Sequence, residues 1–241
     1  MTQIDLEAVS EELAGCSAEQ VVKWAGDKFD NRVALASSFG AEDVVLIDIL
    51  AGLKRKPRIF ALDTGRLHEA TYEVMERVRE RYGVDIEVYY PQREAVEELE
   101  RGRGFYSFRA SLDARHECCG IRKVEPLNRA LSELDAWITG LRKEQSVTRT
   151  AVQTVERDES HGGIIKLNPL GEWTERDIWD YIKEHKVPYN RLHDEGFPSI
   201  GCEPCTRAVE AGEHARAGRW WWESPENKEC GLHAGAAGSG R

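Results

Sequence analysis

Four of the six cysteines come as two tight pairs, Cys118-Cys119 and Cys202-x-x-Cys205, and a fifth, Cys230, stands alone in Glu229-Cys230-Gly231-Leu232-His233. Paired thiolates are soft donors that suit zinc or iron-sulfur centres. Adjacent cysteines aim their side chains apart on most backbones, so a single zinc ion would strain the Cys118-Cys119 pair. A cuboidal cluster offers separate iron corners. One four-iron, four-sulfur cluster is therefore the expected occupant, with zinc, or unconnected buried or disulfide cysteines, as the alternatives. The solitary Cys230 reads either as a working thiol, whose thiolate His233 and nearby cations could favour, or as a free thiol on a disordered tail. Cys16, between Gly15 and Ser17, reads as a small apolar residue.

Three further segments have the makings of an anion or nucleotide site. Ser37-Ser38-Phe39-Gly40 offers hydroxyl donors and a glycine that admits close backbone approach, ahead of a helical run with unsatisfied N–H groups. No Gly-Lys-Ser/Thr follows, which disfavours the phosphate-gripping loop of a nucleotide triphosphatase. In Asp63-Thr64-Gly65-Arg66, Asp63 either meets a ribose or orders its own loop. The stretch from Ile138 to Arg149 gathers Arg142, Lys143 and Arg149 with hydroxyl and amide donors, so Arg142 and Arg149 are candidates for phosphate. Glu42 and Asp43 read as first-turn charges that complement a helix dipole rather than as catalytic carboxylates.

These segments have to be positioned by something, and the periodicity supplies it. Apolar, strand-like runs at 32–36, 58–62, 85–90 and 136–139 alternate with helical patterns, among them 41–50 and 67–82. That order predicts an α/β fold with a mostly parallel sheet flanked by helices, whose ligands sit at the carboxyl ends of the strands. Ser37 to Gly40, Asp63 to Arg66 and Gly140 to Arg142 all fall at such ends. Trp173 to Trp179 reads as a capped amphipathic helix serving the fold. Arg216 and Arg219, three apart, could share a helical face. Trp220-Trp221-Trp222 either covers a nucleotide or packs under a C-terminal lid.

The 241 residues, 41% of them hydrophobic, suffice for a real core. We expect one α/β domain over 1–222 and a flexible, glycine-rich tail over 223–241 carrying Cys230. A formal net charge of -10 argues against a broad nucleic-acid or membrane surface, so anion binding must be local. With no apolar run of membrane-spanning length and no secretion signal at the N-terminus, the chain is expected in a reducing cytoplasm, where paired cysteines mean metal or catalysis more often than disulfides.

Taken in order, Ser37-Ser38-Phe39-Gly40-Ala41-Glu42-Asp43, Leu62-Asp63-Thr64-Gly65-Arg66, Cys118-Cys119-x-x-x-Lys123, the Ile138 to Arg149 loop, Cys202-x-x-Cys205 and Glu229-Cys230-Gly231-Leu232-His233 resemble the assimilatory adenylyl-sulfate reductases. The resemblance runs from about residue 32 to residue 233. It implies an adenine nucleotide alpha-hydrolase-like fold of the PP-loop type and a four-iron, four-sulfur cluster on Cys118, Cys119, Cys202 and Cys205. It also implies reduction of adenosine 5'-phosphosulfate to sulfite and AMP through an S-sulfocysteine on Cys230. Substrate contacts are implied for Ser37, Ser38, Phe39, Gly40, Leu62, Asp63, Gly65, Arg66, Gly140, Arg142 and Arg149. Lys123, Arg216, Arg219 and His233 are implied to gather positive charge around the sulfate. The reductant would be an external dithiol protein, thioredoxin or glutaredoxin; a homo-oligomer is compatible with the sequence.

Three other readings compete. Reduction of the 3'-phosphorylated nucleotide is the nearest, although relatives that use it generally lack the two cysteine pairs. An adenylating PP-loop enzyme would leave the Glu-Cys-Gly-Leu-His segment without a purpose. A noncatalytic iron-sulfur or zinc redox sensor would have no use for the phosphate-edge motifs.

Overall fold

Alternate residues of the central strands feed two different cores, so these strands are apolar on both faces. In the computed structural model, which describes residues 4–54, 56–145 and 152–224, six strands form one sheet. They are β1 (Val33–Ser37), β2 (Arg58–Leu62), β3 (Glu87–Tyr89), β4 (Ala136–Ile138), β5 (Val155–Asp158) and β6 (Ile164–Leu167), in the order β3-β2-β1-β4-β6-β5. Neighbours are parallel except β5 and β6. The α/β expectation is borne out.

Among the described residues there are eight α-helices: α1 (Leu6–Leu13), α2 (Ala18–Phe29), α3 (Ala41–Ala51), α4 (Glu69–Tyr82), α5 (Arg93–Arg103), α6 (Leu112–Cys119), α7 (Glu125–Leu131) and α8 (Glu175–His185). Val33, Leu35, Ile59, Ala61, Ala136 and Ile138 join the larger core with α1 to α4 and α8. Ala34, Phe60 and Trp137 turn the other way and pack on Leu127, Ala130 and Leu131 of α7. Helix α3 is buried nearly all round; Val44, Val45, Leu46, Ile47 and Leu50 are each within 1% of fully buried, each contributing roughly 1.5–3 kcal/mol over exposure. The helix is thereby fixed against the sheet, and with it the turn that precedes it.

A third, smaller cluster lies off the sheet, where Leu99, Phe108, Cys118, Cys202, Cys205 and Trp220 pack together. Strands β5 and β6 have no counterpart in the sequence reading: Val155–Asp158 is a polar edge strand, and Ile164–Leu167 is only four residues long. Thr174 and Asp177 form the capping box that starts α8, as its sequence suggests. The shared helical face expected for Arg216 and Arg219 is absent, because that segment is a run of turns closed by a bridge between Thr206 and Arg219. Glu223, assigned to the tail from sequence, is pinned at 2.7 Å by Arg115, whose side chain is fully buried. Residues 225–241, including Cys230 and His233, lie outside the described residues, as does Arg149. Among the described residues no helix is long and apolar enough to cross a membrane.

Candidate active site

The chain runs from β1 outward to β2 and β3 and then returns to the other side of β1 for β4, so the strand order reverses between β1 and β4. A cleft of about 360 Å³ opens there, at the carboxyl edge of the sheet. This is where doubly wound sheets bind their ligands. Of the sequence candidates, Ser37, Ser38, Phe39, Gly40, Leu62, Lys123, Gly140, Arg142, Arg216 and Arg219 line it. Asp63, Gly65 and Arg66 do not.

The turn after β1 is tightly built. Phe39 takes φ of 59°, a left-handed conformation uncommon for a residue with a side chain, and is nonetheless fully buried. The Phe39 N–H donates to Ser37 Oγ at 3.1 Å, and both the N–H and the hydroxyl of Ser38 donate to Asp43, at 2.5 and 2.8 Å. Gly40 then caps α3, whose first turn, Ala41 to Asp43, lines the cleft. Asp43 is buried, and burial pushes its carboxyl up to about 6, against the pull of the Ser38 hydrogen bonds. A Cβ on Gly140 would stand 2.5 Å from Asp43 Oδ1 and 2.9 Å from Glu42 Cβ. Only glycine lets the loop after β4 lie this close to α3.

That loop is held from below by Asn168, fully buried on the far side of β4. Thr139 Oγ1 donates to Asn168 Oδ1 at 2.6 Å, and Asn168 Nδ2 donates to the Gln153 carbonyl at 2.8 Å. Arg142, expected to meet phosphate, is here paired with Glu42 at 2.8 Å and with Glu144 at 3.5 Å. Asp63 orders its own loop, accepting from the Gly65 N–H at 2.8 Å and the Tyr72 hydroxyl at 2.9 Å.

Arg66 belongs to a second cavity, lined by Cys118, Cys119, Cys202 and Cys205 together with Arg66, Arg115, Arg122, Lys123, Arg219 and Trp220. Helix α6 ends in the first cysteine pair, and the five-residue π-helical stretch Gly120–Val124 re-phases the chain beyond it. Such stretches recur at functional sites. Here it brings Arg122 to the chamber and Lys123 to the wall between chamber and cleft. Arg66 and Arg122 share one carboxylate, Glu100, at 2.9 and 2.5 Å. Burial raises the thiols of Cys118 and Cys205, that of Cys205 to about 12, with neighbouring cations opposing the rise. The Nε atoms of Arg122 and Arg219 are buried without a hydrogen-bond partner. The four thiols line this one chamber, and among the described residues no three His, Cys, Asp or Glu side chains form a ready single-ion site.

The two cavities have a common wall, since Lys123, Cys202 and Arg219 line both. Arg219 is seated there by Gly201: a Cβ on Gly201 would lie 2.3 Å from its Nη2 atom. Trp220, one of three consecutive tryptophans, faces the cysteines at φ of 40° instead of covering the cleft. The sequence reading missed Gly201 and Asn168, which touch the site only through another residue. It also passed over His193, whose ring nitrogens are buried without partners at the cleft wall.

A model of the phosphoadenosine phosphosulfate reductase domain matches residues 32–208. The adenosine 5'-phosphosulfate reductase of Burkholderia cepacia is 53% identical over 208 residues, covering 86% of this chain and 82% of its own length. That of Pseudomonas aeruginosa (strain LESB58) is 46% identical over 236 residues, covering 96% and 87%. Among solved structures, the phosphoadenylyl-sulfate reductase of Candida auris, in a phosphate complex, superposes with a TM-score of 0.73 at 30% identity, covering 87% of this chain and 98% of that one. The FMN adenylyltransferase of Candida glabrata, at 13% identity and a TM-score of 0.56 over 86% of this chain and 68% of its own, shares the fold alone.

Proposed function

Because the chain belongs to the phosphoadenosine phosphosulfate reductase family, we propose that it reduces adenosine 5'-phosphosulfate to sulfite and AMP in assimilatory sulfate reduction, drawing electrons from thioredoxin or glutaredoxin. The observation that carries this reading is the wall of Lys123, Cys202 and Arg219 shared by the cleft and the cysteine chamber. A nucleotide lying along the sheet edge would send its phosphosulfate toward Lys123, Arg216 and Arg219. A thiolate approaching a phosphosulfate meets like charge, and cations already in place reduce that repulsion without reorganising during the reaction.

Cys230 is the proposed nucleophile. Its thiolate attacks the sulfuryl sulfur, the sulfur–oxygen bond to phosphate breaks, and AMP leaves with that electron pair. The enzyme then holds Cys230 as an S-sulfocysteine. A thiolate of the dithiol protein attacks Cys230 Sγ, and sulfite leaves with the electron pair of the sulfur–sulfur bond. The donor's second thiol resolves the mixed disulfide, returning Cys230 to its thiol and leaving the donor oxidised by two electrons. His233 and Arg149 enter this scheme by resemblance, as further cations for the sulfate and phosphate.

The chamber fits the four-iron, four-sulfur cluster that the resemblance implies. Four cysteines from two distant segments line it, and the unpartnered Nε atoms of Arg122 and Arg219 are buried donors suited to an anionic, sulfide-rich core. Cys118, Cys119, Cys202 and Cys205 would hold it. When bound, the cluster would polarise the sulfuryl end of the pocket.

The test is a single turnover without reductant. Anaerobically purified protein mixed with adenosine 5'-phosphosulfate radiolabelled on sulfur should take up label, Cys230→Ser should take up none, and thioredoxin should release the label as sulfite. Absence of label on a protein that binds AMP and carries iron would remove Cys230 from the mechanism. The 3'-phosphorylated nucleotide should compete poorly for labelling.

A further inference from the structure

An aromatic surface that neither the cleft nor the cysteine chamber uses lies beside the anchor of the Cys230 segment. Phe105 and Tyr106 are 67% and 61% exposed, and Trp221 is 37% exposed. Arg109, itself exposed, stands over the rings of Tyr106, Phe108, Trp221 and Trp222 at 5.0 to 5.7 Å. One of its nitrogens donates to the Pro204 carbonyl at 3.1 Å, tying the patch to the Cys202-x-x-Cys205 loop. A chain of net charge -10 has thus placed a cation at the centre of an exposed aromatic cluster. Exposed aromatics grouped around an arginine have the composition of a binding hot spot.

The position of this patch narrows its occupant. Glu223 is fixed by the buried ion pair with Arg115, whose guanidinium also stacks on Trp220 at 4.5 Å. Trp221 precedes that anchor by two residues and Cys230 follows it by seven. Seven residues span at most about 25 Å when fully extended. Any protein that attacks Cys230 Sγ must therefore land within that radius of Glu223, and the Phe105, Tyr106, Arg109 and Trp221 surface lies there.

We propose that this patch is the docking surface for the dithiol protein that releases sulfite from Cys230. The inference rests on the reaction proposed above and adds the surface that recognises the reductant. Transient redox encounters bury little area, typically under about 1,200 Å², and a few aromatic and arginine contacts suffice for one. The partner needs an apolar rim around its reactive dithiol, with neutral or acidic groups to meet Arg109.

The full-length, cluster-loaded Phe105→Ser/Tyr106→Ser variant separates this role from the others. Labelling of Cys230 without reductant should match wild type, and so should sulfite release by dithiothreitol, which needs no docking surface. The thioredoxin concentration for half-maximal sulfite release should rise about tenfold or more, the loss expected from truncating hot-spot aromatics. An unchanged thioredoxin dependence would overturn the proposal. Slowed labelling would overturn it in favour of the patch seating the chain's own Cys230 segment. A wild-type dimer that the substitutions dissociate would assign the surface to a second copy instead. If wild type takes up no label at all, the reaction itself fails, and the docking proposal goes with it.

Discussion

The cleft and the cysteine chamber share a wall but treat charge in opposite ways. In the cleft, charges are matched locally: Glu42 faces Arg142, and Asp43 is held by the N–H and hydroxyl of Ser38. In the chamber, Arg66, Arg115, Arg122, Lys123 and Arg219 all line the cavity. Glu100 is shared by Arg66 and Arg122, and Glu223 pairs with Arg115. A cavity lined by five cations is arranged to receive negative charge, which in the reaction proposed above is a thiolate-held cluster and a sulfuryl group. A cleft with balanced charges and an apolar floor of Leu62, Leu127 and Trp137 suits a nucleobase and ribose. For the proposed reaction, the difference teaches that nucleotide binding and sulfuryl activation are separable, with Lys123 and Arg219 at the boundary.

Removing a boundary cation should produce the largest effect. Arg219→Ala is expected to lower kcat/KM by about 10²–10³, the usual loss when a preorganised charge is taken from a developing anion. AMP affinity, measured by calorimetry, should stay close to wild type. An equal fall in AMP affinity would mean that Arg219 serves the cleft, and the division would collapse. Glycine substitutions on the two sides sharpen the comparison. Gly201→Ala puts a methyl group where the Arg219 guanidinium now sits, and a misplaced positioning group of this kind should cost about tenfold in sulfuryl transfer. AMP binding should again be spared. Gly140→Ala strikes Asp43 and Glu42 instead, so AMP affinity should drop while the iron content of the chamber is retained. Matching phenotypes for the two alanine variants would refute the separation.

The cleft was the more legible of the two in sequence, for a physical reason. Its turns follow directly from strands whose apolar runs announce them, so placing β1, β2 and β4 also placed Ser37 to Gly40 and Gly140 to Arg142. The chamber is assembled from α6, its π-helical extension and loops around residues 66, 202 and 219. No periodicity joins these segments: the cysteine spacing linked 118–119 to 202–205, the resemblance added Lys123 and Arg219, and nothing in the sequence brought Arg66 to them. Helical spacing misled for Arg216 and Arg219, where the bridge from Thr206 to Arg219 sets the backbone. Arg66 followed a strand end and still turned to Glu100, because its guanidinium stacks on Phe108 at 5.3 Å outside the cleft. Gly201 and Asn168 gave no signal at all, since each acts through a neighbour distant in sequence.

The last expected effect is on stability and leaves turnover aside, and it concerns the balance inside the cleft. Burial raises the Asp43 carboxyl from 3.8 to about 6, so between these values the folded protein binds more protons than the unfolded chain. Stability should therefore fall as pH rises through this window, with the full cost of ionised Asp43, about 3 kcal/mol, present above pH 6. Asp43→Asn removes the titration while keeping an acceptor for the Ser38 N–H. Urea unfolding at pH 4.5 and pH 7 should show a shallower pH dependence for the variant than for wild type, in which other titrating groups cancel between the two proteins. Equal slopes would mean that Asp43 ionises in the fold as easily as in water. The Ser38 hydrogen bonds and the dipole of α3 would then fully offset its burial, and the cleft would be an anion-tolerant site like the chamber rather than its charge-balanced counterpart.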